Sequence, residues 1–330
     1  MMRKIMPQMV DIPSEDIIGV WREGTNYTII SQKKVETPSL QFYTTSALPA
    51  HLESQLFDLP LHLQIDVHVI ISVSSGTGLA TQYYTQIISP LLSVLGVSFR
   101  PFYTSNCDSI KEIVPSLSGT VILLSGDGGV NDIINFASSR LTIVLFPMGS
   151  GNALYHSHIK NGLHSLLRGS SQSLPNFRAM FEQANLSGKQ LESMLGAVIL
   201  SYGFHATLVE ESEKYRHDGE ERFLKVAEAL LKNPRTYVGS VNQEVMRGYA
   251  AATLVKKLDK DFTISPKNEL RLIHVDTSNL MKGYSEGLGA WKVDKVDFHA
   301  QGKMCLDGSI IEVNGEVLVE MAESVVDLVV

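Results

Sequence analysis

The segment Ser125-Gly126-Asp127-Gly128-Gly129 has the residue types best suited to chemistry. Three glycines around one aspartate let the backbone approach a ligand closely and let several N–H groups point at it. The predicted helix that follows adds the positive end of its dipole, which suits a polyphosphate. A carboxylate among such donors needs another task, such as accepting a hydroxyl proton or holding Mg²⁺. The alternative interpretation is a plain Asp-Gly turn.

Two further loops have a similar composition. Pro147-Met148-Gly149-Ser150-Gly151-Asn152 follows a predicted strand and precedes a helix, which Ser150 or Asn152 can cap. Ser74-Ser75-Gly76-Thr77-Gly78 is a small, flexible loop after another strand. A capped loop without a ligand is the alternative for the first of these. Because three such loops follow three strands, the sequence predicts one shared phosphate site.

The elements that must position these loops form an alternating pattern. Short apolar runs alternate with helix-like stretches from Asp66 to Phe146, which is typical of a layered α/β unit with a mostly parallel sheet. Open α/β sheets bind ligands at the carboxyl ends of their strands, where the loops lie. The predicted strands are 68–73, 97–103, 120–124 and 142–146, and the predicted helices run to about residue 95 and over 109–117 and 130–138.

The pattern changes after Asn152. A Ser-rich stretch from Leu163 to Phe181 is predicted to be helical, and strand-like runs predominate from Gly196 onward. Among them are runs at 310–313 and 317–321, and one predicted helix covers 220–231. Many short strands predict a β-sandwich or a curled antiparallel sheet. The predicted fold class is therefore α/β, with an N-terminal three-layer α/β domain on a mostly parallel sheet and a C-terminal β-sandwich domain.

Composition limits the classes of function. The 330 residues carry a formal net charge of −7, which argues against nucleic acid as a partner. Two cysteines, Cys107 and Cys305, are too few for a disulfide framework, so we expect a reducing, cytoplasmic compartment. Uninterrupted apolar runs are too short for a predicted membrane-spanning helix.

Four motifs resemble a known family. Ser125 to Asn135 and Phe146 to Leu154 resemble the two glycine-rich signatures of the diacylglycerol kinase catalytic domain. The stretch from Tyr202 to Phe223, which includes Glu211-Ser212-Glu213-Lys214-Tyr215-Arg216, resembles the sphingosine and ceramide kinase branch. Val313-Asn314-Gly315-Glu316 is similar to an Asp-Gly-Glu turn of sphingosine kinases. The likeness runs from about Asp66 to the end of the chain.

The resemblance implies that ATP, with Mg²⁺, phosphorylates a lipid hydroxyl in a cleft between two domains. Asp127 matches the family's catalytic aspartate, which receives the hydroxyl proton. Arg216 and Arg222 match two phosphate-binding arginines, and the alternative is a solvated helix in which they pair with neighbouring glutamates. The implied nucleotide-binding residues are Ser72, Val73, Ser74, Gly76, Thr104, Ser125, Gly126, Gly128, Gly129, Ser150, Arg216, Arg222, Asn314, Gly315 and Glu316. The implied substrate-side residues are Ser125, Gly126, Asp127, Gly128 and Val209.

The sequence pattern and the resemblance together predict three regions of the chain. Residues 1–63 are an extension whose predicted strands, at 27–31 and 40–43, add to one of the domains. Residues 64–160 form the nucleotide-binding catalytic domain, and residues 161–330 form a predominantly β lipid-binding domain.

Some positions depart from the family pattern. Ser72-Val73 stands where the family has Asn-Pro, and Asn314 replaces an aspartate. Val209 replaces the aspartate that holds the substrate's ammonium group in sphingosine kinases. Because valine cannot pair with a cation, a neutral head group such as that of ceramide or diacylglycerol competes with a sphingoid base, unless Glu210 or Glu211 compensates. The stretch from Leu163 to Phe181 lines an acyl-chain pocket or forms a plain helical core.

These features predict a lipid kinase that is cytoplasmic, with peripheral membrane association through transient contact. One alternative is an enzyme similar to NAD kinases, which share a Gly-Asp-Gly loop. Another is a catalytically silent lipid-binding protein, suggested by the altered first loop and by Val209 and Asn314.

Overall fold

The computed structural model describes residues 4–5, 12–33, 39–219, 221–258, 260, 263–265, 267–276 and 290–330. Within these ranges the strands form three sheets. No helix in the described ranges is both long enough and apolar enough to span a bilayer.

The N-terminal segment forms a five-stranded sheet of its own, in the order β1-β4-β3-β2-β5. Both predicted early strands belong to it and pair with each other in antiparallel fashion. The strands are β1 (Lys4–Ile5), β2 (Ile17–Glu23), β3 (Asn26–Lys33), β4 (Ser39–Thr45) and β5 (Leu56–Phe57).

The second sheet is mostly parallel and has six strands in the order β10-β23-β9-β8-β6-β7. The strand Thr120–Ser125, in the middle of the sheet, is buried on both faces. Val121 and Leu123 point into one core, and Ile122 and Leu124 point into the other. Only β10 runs antiparallel to its neighbour within the described part of this sheet. The strands are β6 (Val67–Ile71), β7 (Phe99–Tyr103), β8 (Thr120–Ser125), β9 (Thr142–Pro147), β10 (Ser171–Ser173) and β23 (Asp327–Val329).

Helices cover both faces of this sheet, as the predicted three-layer arrangement requires. Ile110 and Ile133 pack on one face, and Leu91 and Leu166 on the other. The helices are α1 (Ala80–Tyr83) and α2 (Ser89–Val94), joined by a π-helical segment (Tyr84–Ile88), then α3 (Ser109–Ile113), α4 (Asp127–Phe136), α5 (Ala153–His158) and α6 (Gly162–Arg168).

The C-terminal domain is an antiparallel sheet with two helices, which agrees with the predicted class. Its strands are β11 (Asn176–Phe181), β12 (Ala184–Leu186), β13 (Lys189–Gln190), β14 (Ser193–Gly196), β15 (Ile199–Gly203), β16 (Gly239–Val241), β17 (Glu244–Val245), β18 (Gly248–Thr253), β19 (Arg271–Asp276), β20 (Ala290–Lys292), β21 (Lys295–Leu306) and β22 (Ser309–Ala322). Its helices are α7 (Phe204–Ser212) and α8 (Glu221–Lys232).

Two predictions about this half of the chain are wrong. The helix predicted from Leu163 to Phe181 ends at Arg168, and Asn176–Phe181 is a strand because Phe177, Ala179 and Phe181 alternate toward one core. The two predicted strands at 310–313 and 317–321 are one continuous strand. Strand β21 pairs across the whole of it, including Asn314 and Gly315.

Candidate active site

Three loops meet at the carboxyl edge of the six-stranded sheet. We call them the first loop (residues 72–78), the aspartate loop (residues 125–129) and the third loop (residues 147–152). A Cβ atom added to Gly149 would lie 2.5 Å from the Cα of Gly126, and one added to Gly76 would lie 2.4 Å from the carbonyl oxygen of Met148. The loops are therefore in direct backbone contact, and glycine is required at these points. Their convergence is what the sequence predicts.

Hydroxyl groups link the same loops. The hydroxyl of Ser72 donates to that of Ser125 at 2.9 Å, and both side chains are buried. The N–H of Val73 donates to the hydroxyl oxygen of Thr104 at 3.1 Å, which ties the first loop to the end of β7. Ser74 and Gly128 are exposed and Ser150 is half-buried. The predicted nucleotide-contacting positions of this domain thus line one polar edge.

Asp127 occupies the first turn of α4, three residues before the predicted start of that helix. Its carboxylate accepts hydrogen bonds from the N–H groups of Ala153 (2.7 Å) and Leu154 (3.0 Å), so Asp127 caps α5. The prediction that Ser150 or Asn152 caps this helix is wrong. The Asn152 side chain instead bonds back to the N–H and carbonyl of Gly149, at 2.8 and 2.7 Å, and closes the third loop.

The surroundings of Asp127 tune its basicity. Burial raises the pKa of the Asp127 carboxyl above its ordinary value, and the hydrogen bonds from Leu154 and Ala153 oppose that rise without cancelling it. Each carboxylate oxygen accepts one hydrogen bond from protein and retains capacity for another. When ionised, the group can therefore accept a hydroxyl proton.

Asp307, which lies in the turn between β21 and β22, is not among the predicted site residues. Its carboxylate is buried and accepts hydrogen bonds from the N–H groups of Ala197, Val198 and Ile199 and from the side-chain amide of Asn131. Burial raises the pKa of Asp307 to about 6, and the charge of Asp127 contributes to the rise. The available signal was Asp307-Gly308 between two alternating strands, which is a turn signal.

Arg222 is buried in α8. Its guanidinium pairs with Glu213 at 3.0 Å and lies over the ring of Phe223, 4.7 Å from the centroid. Its Nε has no hydrogen-bond partner in the described structure. The side chain of Arg216 lies outside the described residues. A phosphate role for either arginine remains a prediction.

Asn314, Gly315 and Glu316 lie within β22 instead of in a turn. The side-chain amide of Asn314 donates to that of Gln183 at 3.0 Å, and the N–H of Glu316 donates to the carboxylate of Glu182 at 2.9 Å. Gly315 has a φ of 106°, a backbone conformation that residues with a side chain rarely adopt, so glycine is favoured at this point of the strand. Nucleotide contact by these three residues remains a prediction.

Half-buried Val209 lies on α7 among residues that already have partners. The carboxylate of Glu210 accepts a hydrogen bond from Lys303, and that of Glu211 pairs with Lys214 and with Arg235. The side chain of Thr207 accepts a hydrogen bond from the hydroxyl of Tyr237 at 3.0 Å. These ion pairs occupy both glutamates that were expected to compensate for Val209.

The predicted acyl-chain pocket is divided between two cores. Leu163, Leu166 and Leu167 pack beneath the parallel sheet, whereas Phe177 and Phe181 pack in the antiparallel sheet. Residues 163–181 therefore contribute to two hydrophobic cores, one under the parallel sheet and one in the antiparallel sheet.

Within the described ranges, no three His, Cys, Asp or Glu side chains converge as a metal site. Mg²⁺ in phosphoryl-transfer sites commonly takes one or two carboxylates together with water and phosphate oxygens. The Asp127 carboxylate is the group in the aspartate loop that could share such an ion.

Comparisons with known proteins agree with this arrangement. Residues 66–173 match the family model of the diacylglycerol kinase catalytic domain. Sphingosine kinase 1 of Homo sapiens is 30% identical over 197 residues, which are 52% of this chain and 50% of that protein. Sphingosine kinase 1 of Mus musculus is 28% identical over 229 residues, which are 62% of this chain and 59% of that protein. The chain thus spans about half the length of the curated relatives it matches.

Solved structures share the fold. The crystal structure of a putative diacylglycerol kinase from Bacillus anthracis str. Sterne matches with a TM-score of 0.58 and 16% identity, over 80% of this chain and 96% of that one. A second structure of a putative diacylglycerol kinase from this organism gives a TM-score of 0.57. By its sequence motifs and its matched domain, this chain is similar to the diacylglycerol kinase catalytic domain and to the sphingosine kinase branch, and it shares the fold of the solved structures.

Proposed function

We propose that the protein is a lipid kinase that transfers the γ-phosphate of ATP to a lipid hydroxyl, with Asp127 as the general base. The observation that carries the proposal is the placement of one carboxylate where three glycine-containing loops touch, at the carboxyl edge of a parallel sheet. The hydroxyl proton passes to Asp127, the hydroxyl oxygen bonds to the γ-phosphorus, and ADP leaves.

The proposed ATP site uses the exposed edge of the three loops. Ser74, Thr104 and Ser150 supply hydroxyl groups there, and the glycines let backbone N–H groups reach phosphate oxygens. Phosphoryl transfer depends mainly on positioning and on neutralising charge, so N–H groups, Mg²⁺ and arginines suffice. The Asp127 carboxylate would help to hold Mg²⁺, which would supply positive charge that neutralises the transferred phosphate.

The proposed lipid has a neutral head group, such as that of ceramide or diacylglycerol. A sphingoid base carries an ammonium group, which needs an unpaired carboxylate once it leaves water. Val209 cannot supply one, and Glu210 and Glu211 are already paired with cations. To bind the ammonium group, Glu210 or Glu211 would have to give up one of these ion pairs.

The proposed location is the cytoplasm, with transient contact to the membrane that contains the substrate. The net charge of −7 gives no general attraction to anionic lipid surfaces, so binding would depend on the lipid itself.

The direct test is a purified-protein assay with labelled ATP and a panel of ceramide, diacylglycerol, monoacylglycerol, sphingoid base and NAD. We expect a labelled neutral lipid, and we expect Asp127→Asn to lower its formation about a thousandfold or more, since a general base is lost. Asp132→Asn, on the same helix, is the matched control and should retain activity. Full activity in Asp127→Asn would refute the assigned base.

The same panel separates the alternatives. Labelled NADP would show an activity similar to NAD kinases. Lipid binding without ATP binding or turnover would show a silent lipid-binding protein.

A further inference from the structure

Asp307 connects the turn between β21 and β22 to two other elements. Its two carboxylate oxygens accept hydrogen bonds from the consecutive N–H groups of Ala197 (2.7 Å), Val198 (3.1 Å) and Ile199 (2.7 Å), where β14 passes into β15. The same carboxylate accepts a hydrogen bond from the side-chain amide of Asn131 at 3.2 Å. Asp307 therefore joins the antiparallel sheet to helix α4.

Helix α4 holds the antiparallel sheet through a second set of bonds. The side-chain amides of Asn131 and Asn135 both donate to the carbonyl of Leu195, at 3.0 and 2.9 Å. The Oδ1 of Asn135 accepts from the N–H of Leu195 at 3.0 Å. Asn131 and Asn135 are one helical turn apart, so they face the same way. Together with Asp307 they form a polar clamp between the two domains.

The clamp lies close to the proposed base. Asp127 and Asn131 are four residues apart on α4, which is a rise of about 6 Å. The carbonyl oxygen of Asp307 lies 4.0 Å from the position that a Cβ of Gly128 would take. A change in how α4 meets the antiparallel sheet must therefore move Asp127 relative to a lipid held by that sheet.

The chemistry of the clamp favours a positioning role over simple stabilisation. A carboxylate removed from water costs free energy, and an apolar residue of similar size often packs at least as well. The Asp307 carboxylate, which accepts four hydrogen bonds, instead fixes one arrangement of its neighbours, while the Oδ1 of Asn131 has no partner in the described structure. A misplacement of about 1 Å can cost about a hundredfold in rate.

We propose that Asp307 is a positioning residue for the phosphoryl transfer, and that it acts through Asn131 to set Asp127 against the C-terminal domain. This inference rests on the proposed kinase function. Asp307 does not itself exchange a proton with the substrate.

The test compares Asp307→Asn, Asn131→Asp and the double variant with Asp327→Asn. Asp327 is the matched control, because its carboxylate pairs with Arg140 and joins β23 to the parallel sheet away from the aspartate loop. For Asp307→Asn we expect kcat to fall about tenfold to a hundredfold, while the KM for ATP changes less than about threefold. Asn131→Asp places two carboxylates together and should lose more. The double variant removes the repulsion between the two carboxylates, so its kcat should exceed that of Asn131→Asp but stay below that of the wild type.

Hydrogen–deuterium exchange of the same proteins supplies a readout that needs no activity. Peptides covering 127–136 and 195–199 should exchange faster in Asp307→Asn and Asn131→Asp, but not in Asp327→Asn. Should Asp307→Asn fail to fold, Asn131→Ala tests the same contact. Unchanged kcat in folded Asp307→Asn, or unchanged exchange in both peptides, would overturn the positioning role. A wild-type protein that phosphorylates no lipid would refute the kinase proposal, and the exchange data would still test the clamp.

Discussion

At the loop edge of the parallel sheet, glycine backbones touch one another, whereas along α7 charged side chains pair at the surface. Gly126 and Gly149 leave no room for a single added carbon atom. Glu210 and Glu211 are held by lysine and arginine side chains that can move aside. The contrast indicates that close backbone contact fixes the shape of the loop edge, which suits phosphate binding. Around α7, a substitution can instead change which side chains pair.

The largest effect is expected at the contact between the loops. Gly149→Ala would place a Cβ 2.5 Å from the Cα of Gly126, so the third loop must shift away from Asp127. We expect lipid phosphorylation to fall at least about a hundredfold, with a loss of about 1–3 kcal/mol in the free energy of unfolding. Gly151→Ala is the control, since its Cβ would meet its nearest neighbour at 4.0 Å. Equal activity in the two variants would contradict the contact.

The next effect concerns the pH dependence of catalysis. Asp127 must be ionised to accept a proton, and its pKa is raised by burial. Activity should therefore be full above the raised pKa and fall about tenfold per pH unit below it. We expect the midpoint of the acid limb of kcat/KM to lie above the ordinary aspartate pKa of about 3.9. A midpoint at or below that value, measured where the protein stays folded, would contradict the assignment.

A smaller effect is expected in lipid choice. Val209→Asp adds a carboxylate beside Glu210 and Glu211 without removing their cations. We expect kcat/KM for a sphingoid base to rise about tenfold relative to that for diacylglycerol, since one charged pair is gained. Val245→Asp, at an exposed site on β17, is the control and should leave the ratio unchanged. An unchanged ratio in Val209→Asp would show that position 209 does not take part in head-group recognition.

The smallest effect is on stability. Burial raises the pKa of Asp132 to about 6, although Lys111 opposes the rise. Between about pH 4 and pH 6 the folded protein therefore keeps a proton on Asp132 that the unfolded chain has already released. Protonation of Asp132 thus favours the folded state at low pH, and this stabilisation is lost as the pH rises through that window. Asp132→Asn should raise the free energy of unfolding by about 1 kcal/mol near pH 7 and leave it unchanged near pH 4. Asp58→Asn, at an exposed position, should leave the free energy of unfolding unchanged at both pH values. Thermal unfolding at the two pH values measures both variants.

Strands β6 to β9 of the parallel sheet were predictable because they are short apolar runs and their loops follow them directly, whereas β10 and β23 were not predicted. The C-terminal half was less predictable for physical reasons. The helical pattern of Leu163 to Leu167 obscured the alternation of Phe177, Ala179 and Phe181, and tertiary pairing decided the outcome.

In the candidate site, too, some features were predictable from the sequence and others were not. Asp127 follows from local sequence, since its neighbours and the next helix define it. Its bonds to Ala153 and Leu154 come from the third loop, and Asp307 meets Asn131 across 176 residues of sequence. Such contacts leave no local pattern. The resemblance alone places the family's turn at Asn314-Gly315, because the pairing of these residues with β21 cannot be seen in the sequence.

The position of β23 has a consequence for synthesis. This strand lies beside β9 in the parallel sheet, yet it follows the entire antiparallel sheet along the chain. During synthesis the neighbouring strands β6 to β9 therefore emerge first, and the place beside β9 is filled by β23 only after the antiparallel sheet has been made. We expect the two halves to mature as one cooperative unit, and a fragment ending near residue 160 to depend on added C-terminal chain for its completion.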